Sequence, residues 1–270
     1  MTLDGSAGRF LALHERGRPL LQPNAWDAGS AKLLVTLGFQ AVATTSSGLA
    51  ATFGRLDGSV TRDEALAHCG QMAAAVDVPV AADTENGFAD APAGVAEFVT
   101  LACATGVAGC SIEDYARDGD LIYDVGLATE RVAAAAEAAH RGPRHLVLTA
   151  RAENHIHGRI DLGDTIARLQ AYQDAGADVL FAPGLRSADD IRAVVTSVDR
   201  PVNVLATAGC PPIAELAEIG VARISVGGSF AYVAYAGLID AASELRDQGT
   251  YGYWSKVAGA RDLVRQAFSP

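Results

Sequence analysis

The chain has 270 residues, half of them hydrophobic, and a formal net charge of −11. That length suits one α/β barrel of roughly 250 residues, with ample apolar material for its core. The acidic balance, with a pI of about 4.9, excludes nucleic acid and anionic membrane as natural partners, so an anionic substrate must be held by local groups such as a metal, an arginine or backbone amides.

Pro19–Gln22 predicts the first strand, and Asp27–Leu37, with Ala28, Ala31, Leu34 and Val35 at helical spacing, the first helix. Gln40–Thr44 predicts the second strand. Thr61–Val76 opens with Thr-x-x-Glu, a capping box, and leads into a third strand at Val78–Asp83. Helix and strand then alternate: Val95–Thr105, Gly109–Glu113, Glu130–His140, His145–Ala150, Asp164–Ala175, Val179–Ala182, Asp189–Val198, Val202–Leu205 and Arg223–Val226. Gly38, Gly106, Gly142, Gly176 and Gly220 fall where helical runs should stop. Eight βα units predict one parallel (β/α)8 barrel of the TIM type spanning 1–270. An open doubly wound sheet would carry a Gly-rich loop after the first strand, and Gln22–Trp26 has none. Two further helices, Ser229–Arg246 and Tyr253–Phe268, extend beyond the eighth strand, the second lying in a C-terminal extension at 248–270.

The first twenty residues hold Arg9, Arg16 and Arg18 but no long apolar run, and no stretch is long enough to span a membrane, so the expected location is the cytoplasm. Cys69, Cys103, Cys110 and Cys210 form no CxxC pair and are expected to be reduced.

Functional groups of a barrel gather at the C-terminal ends of its strands. Here those ends carry Asn24-Ala25-Trp26-Asp27, Thr45-Ser46-Ser47-Gly48 followed by Asp57, Asp83-Thr84-Glu85, Glu113-Asp114, Arg151-Ala152-Glu153-Asn154-His155, and Asn203. Asp57, Asp83, Glu85 and Glu113 come from three adjacent strand ends. Carboxylates sharing one cavity repel, and a divalent cation relieves the repulsion. All-oxygen donors favour Mg²⁺ or Mn²⁺ over zinc. Arg151 is the natural clamp for a substrate carboxylate, with Glu153 as its neighbour, and the Ser46-Ser47-Gly48 turn offers hydroxyls and open amides to an oxyanion.

In order along the chain, Pro23-Asn24-Ala25-Trp26-Asp27, Thr45-Ser46-Ser47-Gly48, Gly54-Arg55-Leu56-Asp57-Gly58, Ala82-Asp83-Thr84-Glu85-Asn86-Gly87-Phe88, Ile112-Glu113-Asp114, Ala150-Arg151-Ala152-Glu153 and Ala175-Gly176-Ala177-Asp178 resemble the isocitrate lyase/phosphoenolpyruvate mutase superfamily, and its short bacterial members most of all. The resemblance implies that Asp83 binds Mg²⁺ directly, with Asp57, Glu85 and Glu113 completing the shell. Ser46, Ser47, Gly48 and Leu49 would hold a substrate carboxylate or oxyanion. Arg151 would bind substrate oxygens, and Asp57, Glu153 and Asn203 would face the substrate. The last helix would be exchanged between subunits of a homodimer or homotetramer.

The segment Tyr115-Ala116-Arg117-Asp118-Gly119-Asp120-Leu121 departs from the pattern. The resembled C–C lyases carry a Lys-Lys/Arg-Cys-Gly/Ser-His motif there, and this chain has no Cys, Lys or His in it. The lysine and asparagine of the phosphonate enzymes are missing too. Proton transfer is then left to Tyr115, His155, His157 or a metal-bound water. The expected activity is Mg²⁺-dependent C–C cleavage or decarboxylation of a small oxo or hydroxy di- or tricarboxylate through an enolate, such as 2-methylisocitrate cleavage or oxaloacetate decarboxylation. The alternatives are C–P chemistry, as phosphonopyruvate hydrolase or phosphonomutase, and a degenerate barrel that only binds an oxo acid.

Overall fold

The structure, a computed structural model, describes residues 5–117, 121–142 and 144–269. Eight parallel strands form the barrel: β1 Leu20–Gln22, β2 Val42–Ala43, β3 Val80–Asp83, β4 Gly109–Glu113, β5 Val147–Arg151, β6 Val179–Phe181, β7 Val202–Leu205 and β8 Arg223–Ser225. Their hydrogen-bonded order runs β1-β8-β7-β6-β5-β4-β3-β2. The remaining seam, between β1 and β2, closes just beyond β1. Ala25 N–H donates to Ala43 O at 2.7 Å, and Ala43 N–H to Pro23 O at 2.9 Å. Asn24 locks that seam: its Nδ2 donates to Thr44 O (2.6 Å), and its Oδ1 accepts from the Val226 and Gly227 amides after β8.

The helices are α1 Ser6–Ala12, α2 Ala28–Thr36, α3 Ser46–Thr52, α4 Arg62–Ala75, α5 Pro92–Ala104, α6 Val125–Arg141, α7 Leu162–Asp174, α8 Ala188–Ser197, α9 Ile213–Ile219, α10 Ser229–Gln248 and α11 Trp254–Phe268. Reciprocal caps start two of them. Thr61 Oγ1 accepts from Glu64 N while Glu64 Oε2 accepts from Thr61 N, and Asp27 and Ser30 do the same at α2. The main core lies between strands and helices, where Met72, Val95, Val99, Ile112, Leu148, Leu169, Ile191 and Val194 are buried.

Two short helices escape the sequence reading, α1 and α3, whereas α9 is the run expected to stop at Gly220, which caps it in the left-handed conformation. The first plugs the N-terminal end of the barrel, where Phe10 and Ala7 join Leu20, Ala41, Ala81, Ala108, Val147 and Val179 in a separate core. Gly109 makes room for that plug, because a Cβ there would sit 2.9 Å from Phe10 Cε1 and 2.8 Å from Val147 O. The expected stop at Gly142 also differs in kind: it has φ −65°, an extended conformation rather than a left-handed cap. A two-strand hairpin, Tyr115–Ala116 with Leu121–Ile122, follows β4. Asp118, Gly119 and Asp120 of the segment singled out above lie outside the described residues.

After β8 the chain leaves the barrel. Of the twenty residues in α10 only Ala231 is buried, and Phe230, Tyr232, Val233, Leu238, Ile239 and Leu245 are exposed. α11 returns to pack on α2, with Phe268 against Gly29. Among the described residues, no helix is long and apolar enough to cross a membrane.

Candidate active site

The strand register assembles the site. β4 and β5 set Glu113 beside Arg151, and β5 and β6 set Arg151 beside Phe181. β3 ends on Asp83. The Arg151 guanidinium is therefore enclosed by carboxylates. Its Nη1 donates to Asp83 Oδ1 (2.9 Å), its Nη2 lies 3.1 Å from Glu113 Oε2, and its Nε donates to Glu153 Oε1 (2.8 Å). The Phe181 ring centroid is 5.4 Å from the guanidinium carbon. Burial opposes the charge on Arg151, but Glu153, Glu113 and Asp83 outweigh it and raise its pKa further.

The acids bear the strain of this crowding. Burial lifts Glu113 well above the usual carboxylate range, with Arg151 pulling the other way. Burial raises Glu153 as well, again against the pull of Arg151. Burial pushes Glu85 up to about 7 against the pull of Arg117, whose Nε is 2.8 Å from Glu85 Oε2. Glu85 also adopts φ 48°, an uncommon backbone conformation for a non-glycine residue. Asp57 is exposed at the rim, yet the walls around its carboxylate and then the charge of Asp83 raise its pKa. Five carboxylates (Asp57, Asp83, Glu85, Glu113 and Glu153) thus face two guanidiniums, Arg117 and Arg151, leaving a formal excess of three negative charges.

Two connected chambers open here. One, of about 200 Å³, descends into the barrel past Thr44, Ser47, Asp83, Thr149, Asn203 and Arg223. The other, of about 430 Å³, is lined by Glu85, Glu113, Tyr115, Arg117, Glu153 and His157. Ser46, Asp57, Arg151 and Ile156 border both. Tyr115 and His157 stack with ring centroids 3.7 Å apart.

The Ser46-Ser47-Gly48 segment is the first turn of α3, with Thr45 as its cap. Three of its amides are already engaged. Ser46 N–H donates to Asp83 Oδ2 (3.0 Å), Gly48 N–H to Thr45 Oγ1 (3.4 Å), and Leu49 N–H to Thr45 O (3.0 Å). The Ser47 hydroxyl lies 3.1 Å from Thr45 Oγ1, and of this turn Ser46 and Ser47 line the chamber while Gly48 and Leu49 shape the backbone behind it. Gly228 permits the close approach, since a Cβ there would lie 2.3 Å from Ser47 Oγ. His155 lines neither chamber, unlike its neighbours Ile156 and His157.

Three residues important to this geometry were not among the sequence candidates. Arg117, in the departing segment, pairs with Glu85. Asp114 stands behind the site: its Oδ1 accepts from Glu153 N (2.8 Å), and its Oδ2 accepts from Arg168 Nη1 (3.0 Å) and Tyr172 Oη (2.5 Å). Arg223, read only as the start of a strand, reaches the deep chamber. Among the described residues, His140, His145 and Asp178 bring three donor atoms within 4.8 Å of one another, but they precede β5 and β6, at the end of the barrel away from Arg151.

Comparisons agree with this architecture. Residues 10–246 match the Phosphoenolpyruvate phosphomutase family. A crystal structure of a candidate lyase/mutase from Burkholderia cenocepacia has a TM-score of 0.94 and 47% identity, covering 98% of this chain and 96% of that chain. An uncharacterised protein of Mycobacterium tuberculosis is 35% identical over 220 residues, 81% of each chain. The oxaloacetate decarboxylase of Pseudomonas paraeruginosa is 30% identical over 240 residues, 83% of this chain and 79% of that protein. The chain belongs to the phosphoenolpyruvate phosphomutase family, within the phosphoenolpyruvate mutase/isocitrate lyase superfamily of lyases and mutases.

Proposed function

We propose that this chain is a magnesium-dependent lyase that breaks a carbon–carbon bond in a small 2-oxo or hydroxy di- or tricarboxylic acid. The observation that carries the reading is the uncompensated negative charge around Arg151. Carboxylates buried with raised pKa values need a cation or protons, and an all-oxygen donor set suits Mg²⁺. The residues therefore fit the metal: Asp83 would hold it directly, and Asp57, Glu85 and Glu113 through water. When bound, Mg²⁺ supplies positive charge where oxygen becomes negative as the substrate bond breaks.

The chain's own groups do the rest. Arg151, locked by Glu153, orients the substrate carboxylate by its planar fork. Ser46 and Ser47 bound the oxyanion side of the cavity. Tyr115 and His157 stand on the wall of the second chamber, within reach of a fragment that must collect a proton. The oxaloacetate decarboxylase among the relatives supports carbon-acid chemistry. Assembly belongs to the same proposal: α10, almost wholly exposed and carrying apolar residues on more than one side, would dock on the barrel of a second copy in a homodimer or homotetramer.

The test is a panel of oxaloacetate, 2-methylisocitrate, 2,3-dimethylmalate and phosphonopyruvate, each with and without Mg²⁺. Mg²⁺-dependent cleavage of a carbon acid is expected. Phosphate release from phosphonopyruvate alone would replace this reading with C–P chemistry. Thermal stabilisation by Mg²⁺ and pyruvate with no turnover would leave a binding barrel.

A further inference from the structure

Among the described residues, Arg223 is a buried cation with no counter-ion. It is 5% exposed and stands at the start of β8, facing into the barrel. Its bonds all go to neutral groups: Nε donates to Asn203 Oδ1 (3.0 Å), Nη2 to Thr149 Oγ1 (3.1 Å) and Nη1 to His14 Nε2 (3.2 Å). His14 accepts there because its other ring nitrogen, Nδ1, donates to Phe10 O at 2.9 Å, which is the neutral tautomer. Burial, then Arg223 itself, holds the His14 pKa down to about 3, so the imidazole stays neutral. Among the described residues, the charged group that acts on Arg223 is Arg151, which repels it. Burial lowers the Arg223 pKa to about 9, and it remains a cation at neutral pH.

A guanidinium has five N–H donors, and three of them are used here. The two left over belong to a side chain that lines the 200 Å³ cavity whose upper wall is Arg151. Other arginines in the protein resolve their burial differently. Arg168 pairs with Asp114 and Asp164, and Arg131 takes the carbonyls of Asn86, Ala89 and Asp90. Leaving a buried charge without an opposite charge is costly, and a bound anion is what removes that cost.

We propose that Arg223, with Asn203, Ser225 and Thr149 around it, forms a second anion subsite at the floor of the cavity that receives the distal carboxylate of a dicarboxylic substrate whose reacting end lies at Arg151. This rests on the function proposed above and extends it. The two guanidiniums set the two ends of the ligand, and the small volume between them limits its length. Monocarboxylates of the same length leave Arg223 uncompensated and bind weakly. Asn203 Nδ2, which donates to Ser225 Oγ at 2.9 Å, holds the polar lining in register around the arginine.

Calorimetric titration of the Mg²⁺-loaded protein with succinate and with butyrate tests this without turnover. Succinate is expected to bind about 10- to 100-fold more tightly, the worth of a charge-assisted hydrogen-bonded contact. Arg223→Gln should erase that preference while leaving butyrate affinity unchanged. Arg223→Lys, which keeps the charge and guards against loss of fold, should retain part of it. Equal affinities in the wild type, or a preference that survives in both variants, would overturn the subsite. No turnover on the substrate panel together with an Arg223-dependent succinate preference would remove the proposed reaction and leave the subsite standing. Turnover with a preference that ignores Arg223 would do the reverse.

Discussion

Asp83 is bound by both walls of the candidate site at once: its Oδ1 accepts from Arg151 Nη1 at 2.9 Å and its Oδ2 from the Ser46 amide at 3.0 Å. The first bond ties it to the arginine that would clamp the substrate, the second to the turn beside which an oxyanion would lie. Asp83→Ala removes the proposed direct ligand but leaves Arg151 with Glu113 and Glu153. Activity should fall about 10²- to 10³-fold, the usual cost of removing a preorganised electrostatic group. Circular dichroism should remain that of the wild type. The Mg²⁺-induced shift in melting temperature should vanish, and a variant with an unchanged Mg²⁺ response would take Asp83 out of the metal site.

Arg151 makes the opposite case, because its removal strands three acids. Arg151→Met leaves Asp83, Glu113 and Glu153 without their shared cation. Breaking a buried charge cluster this way costs about 3–5 kcal/mol, read as a lower urea midpoint, and added Mg²⁺ should recover part of it. Arg151→Lys keeps the charge but cannot span three carboxylates with one ammonium. It should fold better than Arg151→Met and be almost as inactive. Near-normal turnover in Arg151→Lys would show that planar recognition of the substrate is not the role of this residue.

The contrast between these two residues and Arg223 shows what a sequence discloses. Asp83, Glu113 and Arg151 were legible because each ends a strand, and a strand followed by a helix fixes which end is the mouth. Arg223 begins its strand, where a charged residue reads as solvated, and nothing in a three-residue strand tells inward from outward. α1 was missed for a related reason: seven residues are too few for a helical period, and its role as a plug depends on Gly109, a hundred residues away. His155 sits at a legible place in the chain but lines neither chamber, although Ile156 and His157 beside it do. Arg117 was overlooked in a segment read for what it lacks. Its pairing with Glu85 comes from the hairpin that carries it, which sequence periodicity does not reveal.

Two buried histidines give the fold a defined acid sensitivity. Burial holds His14 at about 3 and His68 at about 4, both below the value of 6.5 for an unperturbed imidazole. Between those values and 6.5 the unfolded chain binds protons that the folded chain refuses, so stability falls as pH drops through that window and is unaffected above it. Glu85 and Glu113, raised by burial, work in the other direction, which makes a comparison with variants the clean measurement. His14→Gln and His68→Gln should each flatten the decline of the urea midpoint between pH 7 and pH 5. Parallel pH profiles for wild type and variants would show that neither histidine is held neutral.

The long helix α10 makes the last prediction. α10 exposes Phe230, Tyr232, Val233, Leu238, Ile239 and Leu245 on more than one side, an amount of apolar surface that a monomer seldom leaves in water. Only Ala231 is buried, so in one chain the helix has almost nothing to pack on, whereas α11 folds back to α2 of its own barrel. Burying those side chains against a second copy would satisfy them, and because α10 starts next to Gly228, which touches Ser47, docking would also brace the site. Leu238→Glu with Ile239→Glu should convert the assembly to monomers in light scattering after size exclusion, because two carboxylates cannot be buried in an apolar contact without partners. Turnover should fall along with the oligomer, and raising the protein concentration should restore part of both. A wild type that is monomeric at all concentrations, or a double variant with unaltered mass, would leave α10 a free arm and require another explanation for its exposed apolar residues.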